Sequence, residues 1–362
     1  MFFKIKKNKI KFLLPFIFLL IAGGSVFWAD NTSAADQKDL VKYHGQVHNL
    51  FFHPLLVNTD KAFKRDRNFD FADNWFVTAS EYSKILEKLY ENNYILVNIH
   101  SVTRLVEKNG KQEMQFTPLM IPKGKKPLVI TFDDVNYYEV QRARGTIHKL
   151  VIDTDGEIAG VEIDQNGKII IAKNNNLVSI TENFIRTHPD FSWQGARPVI
   201  GLTGYEGVFG YRTNELKSKT YSQDKADALA VAHKLKQLGW LFASHTYGHI
   251  NVPGKTYQRL VQDTEKWKKE VEIFTGPTDL FIYPYGARLK TTQTQKLDYL
   301  KSQGFKVFFE IGNYTDSNVA LDAYFNQRVA IDGRYLRGWM CNSKKSLYFS
   351  ITSVIDLKRP KL

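Results

Sequence analysis

The feature that most constrains the fold is a repeated succession of short apolar segments and longer amphipathic ones. Beginning near Val47, stretches such as ILVNI, LVITF, PVIGL and KVFFEI are followed by segments with helical spacing of apolar residues. Wholly apolar short runs are typical of parallel strands buried on both faces, and the intervening helices cover such a sheet. So many strand-then-helix units predict a barrel of parallel strands.

One region departs from this rhythm. Residues 149–172 alternate apolar and polar side chains, and Asp-Gly and Asn-Gly pairs occur at 155–156 and 166–167. These are the turn pairs of β-hairpins. We therefore expect an antiparallel, hairpin-rich insertion, over about residues 141–196, within a domain that spans 47–340.

The N-terminus predicts export. Five lysines precede an apolar stretch from Phe12 to Ala29, about 27 Å long as a helix at about 1.5 Å per residue. Positive charge before such a stretch keeps the N-terminus inside and sends the following chain outward. Residues 1–29 are expected to be a signal peptide or a membrane anchor. The protein is then either anchored at the outer membrane face or secreted to the cell wall.

The remaining boundaries follow from composition. Residues 30–46 are polar and predict a linker, and 341–362 are assigned to a C-terminal tail. The formal charge of +13 becomes 13 − 5 = +8 without the five N-terminal lysines, which favours an anionic partner such as a cell wall. No basic run with interleaved aromatics follows position 30, so nucleic acid is not an expected partner. The glycine-rich segment 203–207 lacks phosphate-loop spacing, so no nucleotide site is expected.

Two polar motifs at apparent strand ends can support hydrolytic chemistry. Asp133 and Asp134 end the LVITF strand, and His245 and His249 are four residues apart. Two imidazoles and one carboxylate leave a position open on a bound cation, as in catalytic zinc sites. Alone, an Asp pair is as often a turn or a helix cap, and an isolated histidine pair more often packs or lies on the surface. The single cysteine, Cys341, excludes a cysteine-rich zinc site.

A third motif, FIYPYG, follows in the chain. In this order, TFDD, HTYGH and FIYPYG resemble the three motifs of the polysaccharide deacetylases of carbohydrate esterase family 4, the NodB-homology domain. The resemblance covers most of the region from about Leu50 to Gly333. It implies an α/β fold, a distorted (β/α) barrel of about seven parallel strands, and a divalent metal, usually zinc.

Roles are carried over from the resemblance by motif position. It implies that Asp134, His245 and His249 are the metal ligands and that Asp133 is the catalytic base. It also makes the Tyr285 backbone amide a donor to the oxyanion. We further expect that the substrate contacts are Tyr283, Pro284, Tyr285 and Tyr205.

The chain departs from the family pattern twice. The arginine of the third motif falls at Phe281, and Arg328 or Arg288 is the candidate replacement. The family's late histidine, a general acid, has no match because no histidine follows His249. His53 is the candidate for that acid, and the alternative is a histidine that only packs.

The resemblance implies a hydrolase acting on linear amides, a class of carbon–nitrogen bonds other than peptide bonds. The expected reaction releases acetate from N-acetylglucosamine or N-acetylmuramic acid of peptidoglycan, with the membrane reached through the N-terminal segment. Two alternatives stay open. One is a catalytically inactive protein that binds metal and cell-wall glycan, and the other is a deacetylase of another exported polysaccharide.

Overall fold

The computed structural model describes residues 39–66, 69–164, 166–290, 292–338 and 347–360. The predicted signal or anchor segment, most of the predicted linker and Cys341 lie outside these ranges. Within them, no helix combines the length and the apolar character that a membrane crossing needs.

Strands and α-helices alternate along most of the described chain. The strands are β1 (Leu40–Lys42), β2 (His48–Phe52), β3 (Tyr94–Leu96), β4 (Thr103–Lys108), β5 (Lys111–Phe116), β6 (Met120–Pro122), β7 (Lys126–Phe132), β8 (Lys149–Ile152), β9 (Ile158–Ile163), β10 (Ile169–Ala172), β11 (Val199–Leu202), β12 (Leu241–Ser244), β13 (Leu280–Ile282), β14 (Val307–Ile311), β15 (Asn318–Ala320) and β16 (Ala323–Ala330). The helices are α1 (Thr59–Ala62), α2 (Phe69–Trp75), α3 (Ala79–Glu91), α4 (Glu139–Arg142), α5 (Leu177–Thr187), α6 (Tyr221–Gln237), α7 (Tyr257–Glu270), α8 (Glu272–Thr275), α9 (Thr294–Ser302), α10 (Gly333–Leu336) and α11 (Ile351–Val354).

Seven parallel strands form a closed barrel in the order β11-β12-β13-β14-β16-β2-β7. The ring closes where β7 pairs with β11, at Thr131 with Val199 and Phe132 with Ile200. The first half of β7 pairs instead with β3, through Lys126 to Leu128. Because two strands share one edge of β7, the barrel is irregular there. The predicted distorted barrel of parallel strands is confirmed.

Alternate residues of β7 enter different apolar clusters. Leu128 and Ile130 pack with residues of α3, whereas Val129 packs with Ile282 and Phe309 of other barrel strands. Both faces of the strand are therefore buried, one against helices and one inside the barrel. This explains why β7 is apolar throughout and lacks the alternation of a half-exposed strand.

Helix α3 begins with a capping box that the sequence analysis did not predict. The Thr78 side chain accepts a hydrogen bond from the Glu81 amide, and the Glu81 carboxylate accepts one from the Thr78 amide. These two bonds satisfy donors that a helix start leaves open.

The predicted insertion lies between β7 and β11. Strands β8, β9 and β10 form an antiparallel sheet, and Gly156 and Gly167 have φ of 74° and 79° in its turns. These left-handed angles favour glycine and explain the Asp-Gly and Asn-Gly pairs. The insertion also contains α5, a helix that the alternating pattern did not predict.

The described segments that flank the predicted domain are packed into the fold. Strand β1, within the predicted linker, pairs with β6. In the predicted C-terminal tail, Phe349, Ile351 and Val354 are buried. The Arg359 guanidinium is also buried and lies 2.8 Å from the Glu81 carboxylate and 3.0 Å from that of Asp73. The described part of the tail is therefore held to α2 and α3 by buried charges.

The Arg359 ion pairs generate a stability prediction. Replacing Arg359 with Met leaves the buried Glu81 carboxylate without its cation, which is expected to lower the free energy of unfolding by about 3–5 kcal/mol. Urea denaturation followed by circular dichroism measures the change. Lys358→Met, at an exposed neighbouring position, is the matched control and should change it by less than about 0.5 kcal/mol. Equal stabilities of the two variants would contradict the prediction.

Candidate active site

The polar motifs meet at one end of the barrel, where the strands have their carboxyl ends. Asp133 and Asp134 directly follow β7, His245 directly follows β12, and His53 directly follows β2. Arg328 lies near the end of β16. Active sites of parallel barrels lie at this end because the loops there converge around the barrel axis.

Asp134, His245 and His249 form a compact cluster of metal-binding atoms. One ligand atom from each residue lies within 4.8 Å of the other two. The Asp134 Oδ1 atom is 3.6 Å from Nε2 of His245 and 3.7 Å from Nε2 of His249. Two atoms bonded to one ion at about 2.0–2.2 Å are at most about 4.4 Å apart, and both carboxylate–imidazole distances are within this limit, so these atoms are spaced to share one cation.

A hydrogen bond orients His245 toward this cluster. Its Nδ1 atom is 3.0 Å from the Ile282 carbonyl oxygen, which can only accept, so Nδ1 carries the proton. The Nε2 lone pair then faces Asp134, as in metal-binding histidines whose second nitrogen donates to a carbonyl. Burial lowers the pKa of His245 to about 4, against the opposing effect of Asp134, so the imidazole is neutral at pH 7.

The Asp134 carboxyl is buried, yet it favours ionisation. Burial by itself raises its pKa, but His249, His245 and His53 and a hydrogen bond from Tyr138 outweigh that effect and lower the pKa. An anionic oxygen and two imidazoles are the donor set that zinc and similar divalent ions prefer.

Several residues of the site have left-handed backbone angles although they are not glycine. The φ values are 61° at Asp134, 57° at Thr246, 48° at His249 and 60° at Tyr285. Each such conformation costs on the order of 1–3 kcal/mol, and such residues concentrate at functional sites. The tight turn at Thr246 and His249 is what directs both imidazoles to the same point.

Asp263 of α7 holds this turn in place. Its buried carboxylate accepts hydrogen bonds from the backbone amides of Tyr247, at 2.6 Å, and Gly248, at 3.0 Å. On the other side, the Tyr247 carbonyl accepts bonds from the amides of Gly204 and Tyr205. The sequence analysis did not identify Asp263. Its signal was an acid on the apolar face of α7, three residues after Leu260 and four before Trp267.

Arg328 contacts Asp133 in a buried bidentate ion pair. Its two terminal nitrogens lie 2.7 Å and 3.0 Å from the two carboxylate oxygens, and the Arg328 side chain is fully buried. The other candidate, Arg288, is 3.4 Å from Glu310 and exposed. Of the two arginines, Arg328 is therefore the one placed to steady Asp133. Arg328 belongs to β16. In the third motif, Phe281 of β13 occupies the position of the family's arginine.

His53 lies beside the cluster. Its Nδ1 atom is 3.1 Å from the Trp75 carbonyl oxygen, and its ring contacts Phe51 and Phe76. Donation from Nδ1 to this carbonyl leaves Nε2 as the ring nitrogen available to the site.

The predicted substrate contacts divide into two groups. Tyr285 and Tyr205 are exposed, and the Tyr285 ring lies 4.4 Å from that of His249. Tyr283 and Pro284 are buried, and the Tyr283 ring stacks on Phe308 in the core. The expectation that Tyr283 and Pro284 contact substrate does not hold for their side chains, because strand β13 ends inside an aromatic cluster and turns outward only at Tyr285.

Comparison with known proteins bears on this site. The family model described as polysaccharide deacetylase matches residues 218–308, which include His245, His249 and Tyr285. This segment of the chain is therefore similar to the polysaccharide deacetylase family. The expected family resemblance and enzyme class are thereby confirmed. The TFDD motif precedes the matched segment, and the pairing of β7 with β11 brings it to the same end of the barrel.

Two solved structures are similar to this chain. The Streptococcus pyogenes deacetylase PplD, in complex with acetate, is 14% identical, with 79% of this chain and 92% of that chain covered and a TM-score of 0.42. IcaB from Ammonifex degensii is 14% identical, with 82% and 94% covered and a TM-score of 0.43. No curated protein sequence matches the chain significantly.

The Asp263 contacts predict a measurable effect on stability. Asp263→Asn places an amide NH₂ against one of two backbone donors, which is expected to lower the free energy of unfolding of the protein by about 1–3 kcal/mol. Urea denaturation measures the loss. Glu265→Gln, exposed on the same helix, serves as the control and should be nearly neutral. If Asp263→Asn were as stable as that control, the carboxylate would not hold the turn.

Proposed function

We propose that this deacetylase is an exported, metal-dependent hydrolase that releases acetate from the N-acetylated sugars of cell-wall peptidoglycan. The observation that supports the proposal is the arrangement of four polar side chains and one arginine at the carboxyl end of the barrel. Asp134, His245 and His249 converge on a common point, and the separate carboxylate of Asp133, beside Asp134 in the chain, is held by Arg328.

The three clustered residues fit a divalent ion by donor type, spacing and orientation. Asp134, His245 and His249 would hold it, and three protein ligands leave a position open to the substrate or a water molecule. Such an ion supplies Lewis acidity, which polarises an amide carbonyl and acidifies water. Zinc is the ion that we test first because of the nitrogen and oxygen donors.

Asp133 is proposed as the general base. It takes a proton from the water that attacks the acetamide carbonyl carbon. Arg328 fixes the plane of the carboxylate, while lone pairs beyond those engaged by the two nitrogens remain to accept the proton. The Tyr285 amide is proposed as a donor to the oxygen that gains negative charge during attack.

His53 is proposed as the general acid. Cleavage of the carbon–nitrogen bond leaves an amine that needs a proton, and a protonated His53 supplies it from Nε2. The Trp75 carbonyl holds the opposite nitrogen and so fixes the ring. The balanced reaction consumes one amide and one water and gives a free amino sugar and acetate. Tyr205 and Tyr285 offer exposed rings on which a sugar can stack.

Location and charge support the choice of substrate. The lysine-rich N-terminus and the following apolar segment predict export, and the rest of the chain has a formal charge of +8. A positive protein is attracted to an anionic wall. Another exported polysaccharide, such as an exopolysaccharide or xylan, is the alternative substrate. A catalytically inactive protein that binds metal and glycan is the other alternative, motivated by the missing motif arginine and late histidine. The Arg328–Asp133 ion pair supports the enzymatic proposal instead.

The first functional prediction concerns Asp133. Asp133→Asn should reduce acetate release by about 10²–10⁴-fold because the base is lost. Zinc affinity should persist because Asp133 is outside the three-residue cluster. Acetate is measured enzymatically with peptidoglycan, chitooligosaccharide, a soluble exopolysaccharide and acetylated xylan, each with several divalent ions. Asp298→Asn, exposed on α9, is the control.

The substrate panel also separates the hypotheses. Release from peptidoglycan alone supports the proposed substrate, and release only from another polymer replaces it. Binding of glycan with no acetate from any polymer, under any of the ions, would overturn the enzymatic proposal.

The second functional prediction concerns His53. His53→Gln is expected to lower kcat by about 10²-fold with little change in KM, because the donor of the proton to the departing amine is lost. Steady-state kinetics measures both constants. His233→Gln, exposed on α6, should leave kcat unchanged. An unchanged kcat in His53→Gln would assign the acid to another group.

A further inference from the structure

We propose that Tyr138 is a positioning residue that holds the Asp134 carboxylate for metal binding. The inference rests on the metal site of the proposed function, and it adds a residue that none of the three sequence motifs contains. Tyr138 lies four residues after Asp134, at the start of α4, and its side chain is buried.

The Tyr138 hydroxyl contacts the oxygen that faces both histidines. It donates a hydrogen bond to Asp134 Oδ1 at 2.8 Å. The same Oδ1 atom lies 3.6 Å and 3.7 Å from the two imidazole Nε2 atoms. A carboxylate oxygen has two lone pairs, so one can accept from Tyr138 while the other faces a cation.

The hydrogen bonds around Tyr138 have one consistent direction. An ionised carboxylate can only accept, so the Tyr138 hydroxyl must donate to Asp134. The Thr203 hydroxyl lies 2.7 Å from the Tyr138 oxygen and therefore donates to it. Thr203 is itself fixed, because its backbone amide and carbonyl both pair with the Asn136 side chain. The hydrogen bonds from Thr203 through Tyr138 to Asp134 link the end of β11 to the end of β7.

The Tyr138 ring has little freedom to move. It stacks on the Tyr205 ring with centroids 4.8 Å apart and planes at 25°. Its backbone amide donates to the Gln141 side chain at 3.0 Å. Asp134 itself occupies a left-handed backbone conformation, which persists only where surrounding contacts fix it. The rigid hydroxyl of Tyr138 supplies one such contact.

Removing a partner that orients a metal ligand typically weakens metal affinity by 10- to 100-fold. Tyr138→Phe deletes the hydroxyl and keeps the ring that stacks on Tyr205. Zinc affinity of the full chain is measured by competition with a chromogenic chelator, without any polysaccharide. The dissociation constant of Tyr138→Phe is expected to rise by about 10- to 100-fold.

The adjacent tyrosine provides a matched control. Tyr137 is also fully buried, and its hydroxyl has no hydrogen-bond partner among the described residues. Tyr137→Phe makes the same chemical change one residue away and should leave zinc affinity unaltered. Thr203→Val removes the donor to Tyr138 and is expected to give a smaller loss. Circular dichroism shows whether Tyr138→Phe folds. If it does not, Thr203→Val still tests the hydrogen bonds that run from Thr203 through Tyr138 to Asp134.

The outcomes separate this inference from the proposed function. If the unmodified protein binds zinc and Tyr138→Phe or, failing that, Thr203→Val binds it equally well, the positioning role is overturned while the deacetylase proposal stands. If the unmodified protein binds none of zinc, cobalt, nickel or manganese, the metal-dependent mechanism and this inference both fail. A loss in Tyr137→Phe as large as that in Tyr138→Phe would assign the effect to packing and also overturn the inference.

Discussion

The pairing of β7 with β11 is the contact on which the site depends. Only two residue pairs, Thr131 with Val199 and Phe132 with Ile200, join these strands at the carboxyl end of β7. They close the barrel at the first two residues of the TFDD motif. Since β11 lies between β7 and β12, closure sets the acids two strands away from the histidine turn. An open sheet would leave the two halves of the candidate metal site at opposite edges.

Closure also places charges where water is scarce, and the structure compensates each of them. Asp133 is matched by the buried guanidinium of Arg328, while Asp134 accepts a hydrogen bond from Tyr138. An unpaired buried carboxylate would be strongly unfavourable. The two neighbouring acids therefore have separate surroundings, as their different proposed roles require. Asp133 is paired with the Arg328 guanidinium, whereas Asp134 faces the candidate site for a bound metal ion.

The turn from His245 to His249 is strained, and packing around it maintains the strain. Left-handed angles at Thr246 and His249 point both imidazoles inward, and Asp263 holds the intervening amides from α7. Such conformations persist only where surrounding contacts fix them. Asp134 also has a left-handed backbone angle, and the Tyr138 hydroxyl contacts its side chain. Rigid elements behind the site thus define positions that the loops alone would leave variable.

The sequence by itself determined the strand and helix rhythm, the inserted hairpins and the order of the motifs, because hydrophobic periodicity and turn chemistry are local. It pointed to Asp134, His245 and His249 through residue type and through the resemblance of the motif order to a known family. Only the tertiary structure chose Arg328 over Arg288, buried Tyr283 and Pro284, and revealed Asp263 and Tyr138. Those outcomes depend on which strands become neighbours and which side chains face inward, and contacts between residues far apart in the chain leave no periodic signal in a single sequence.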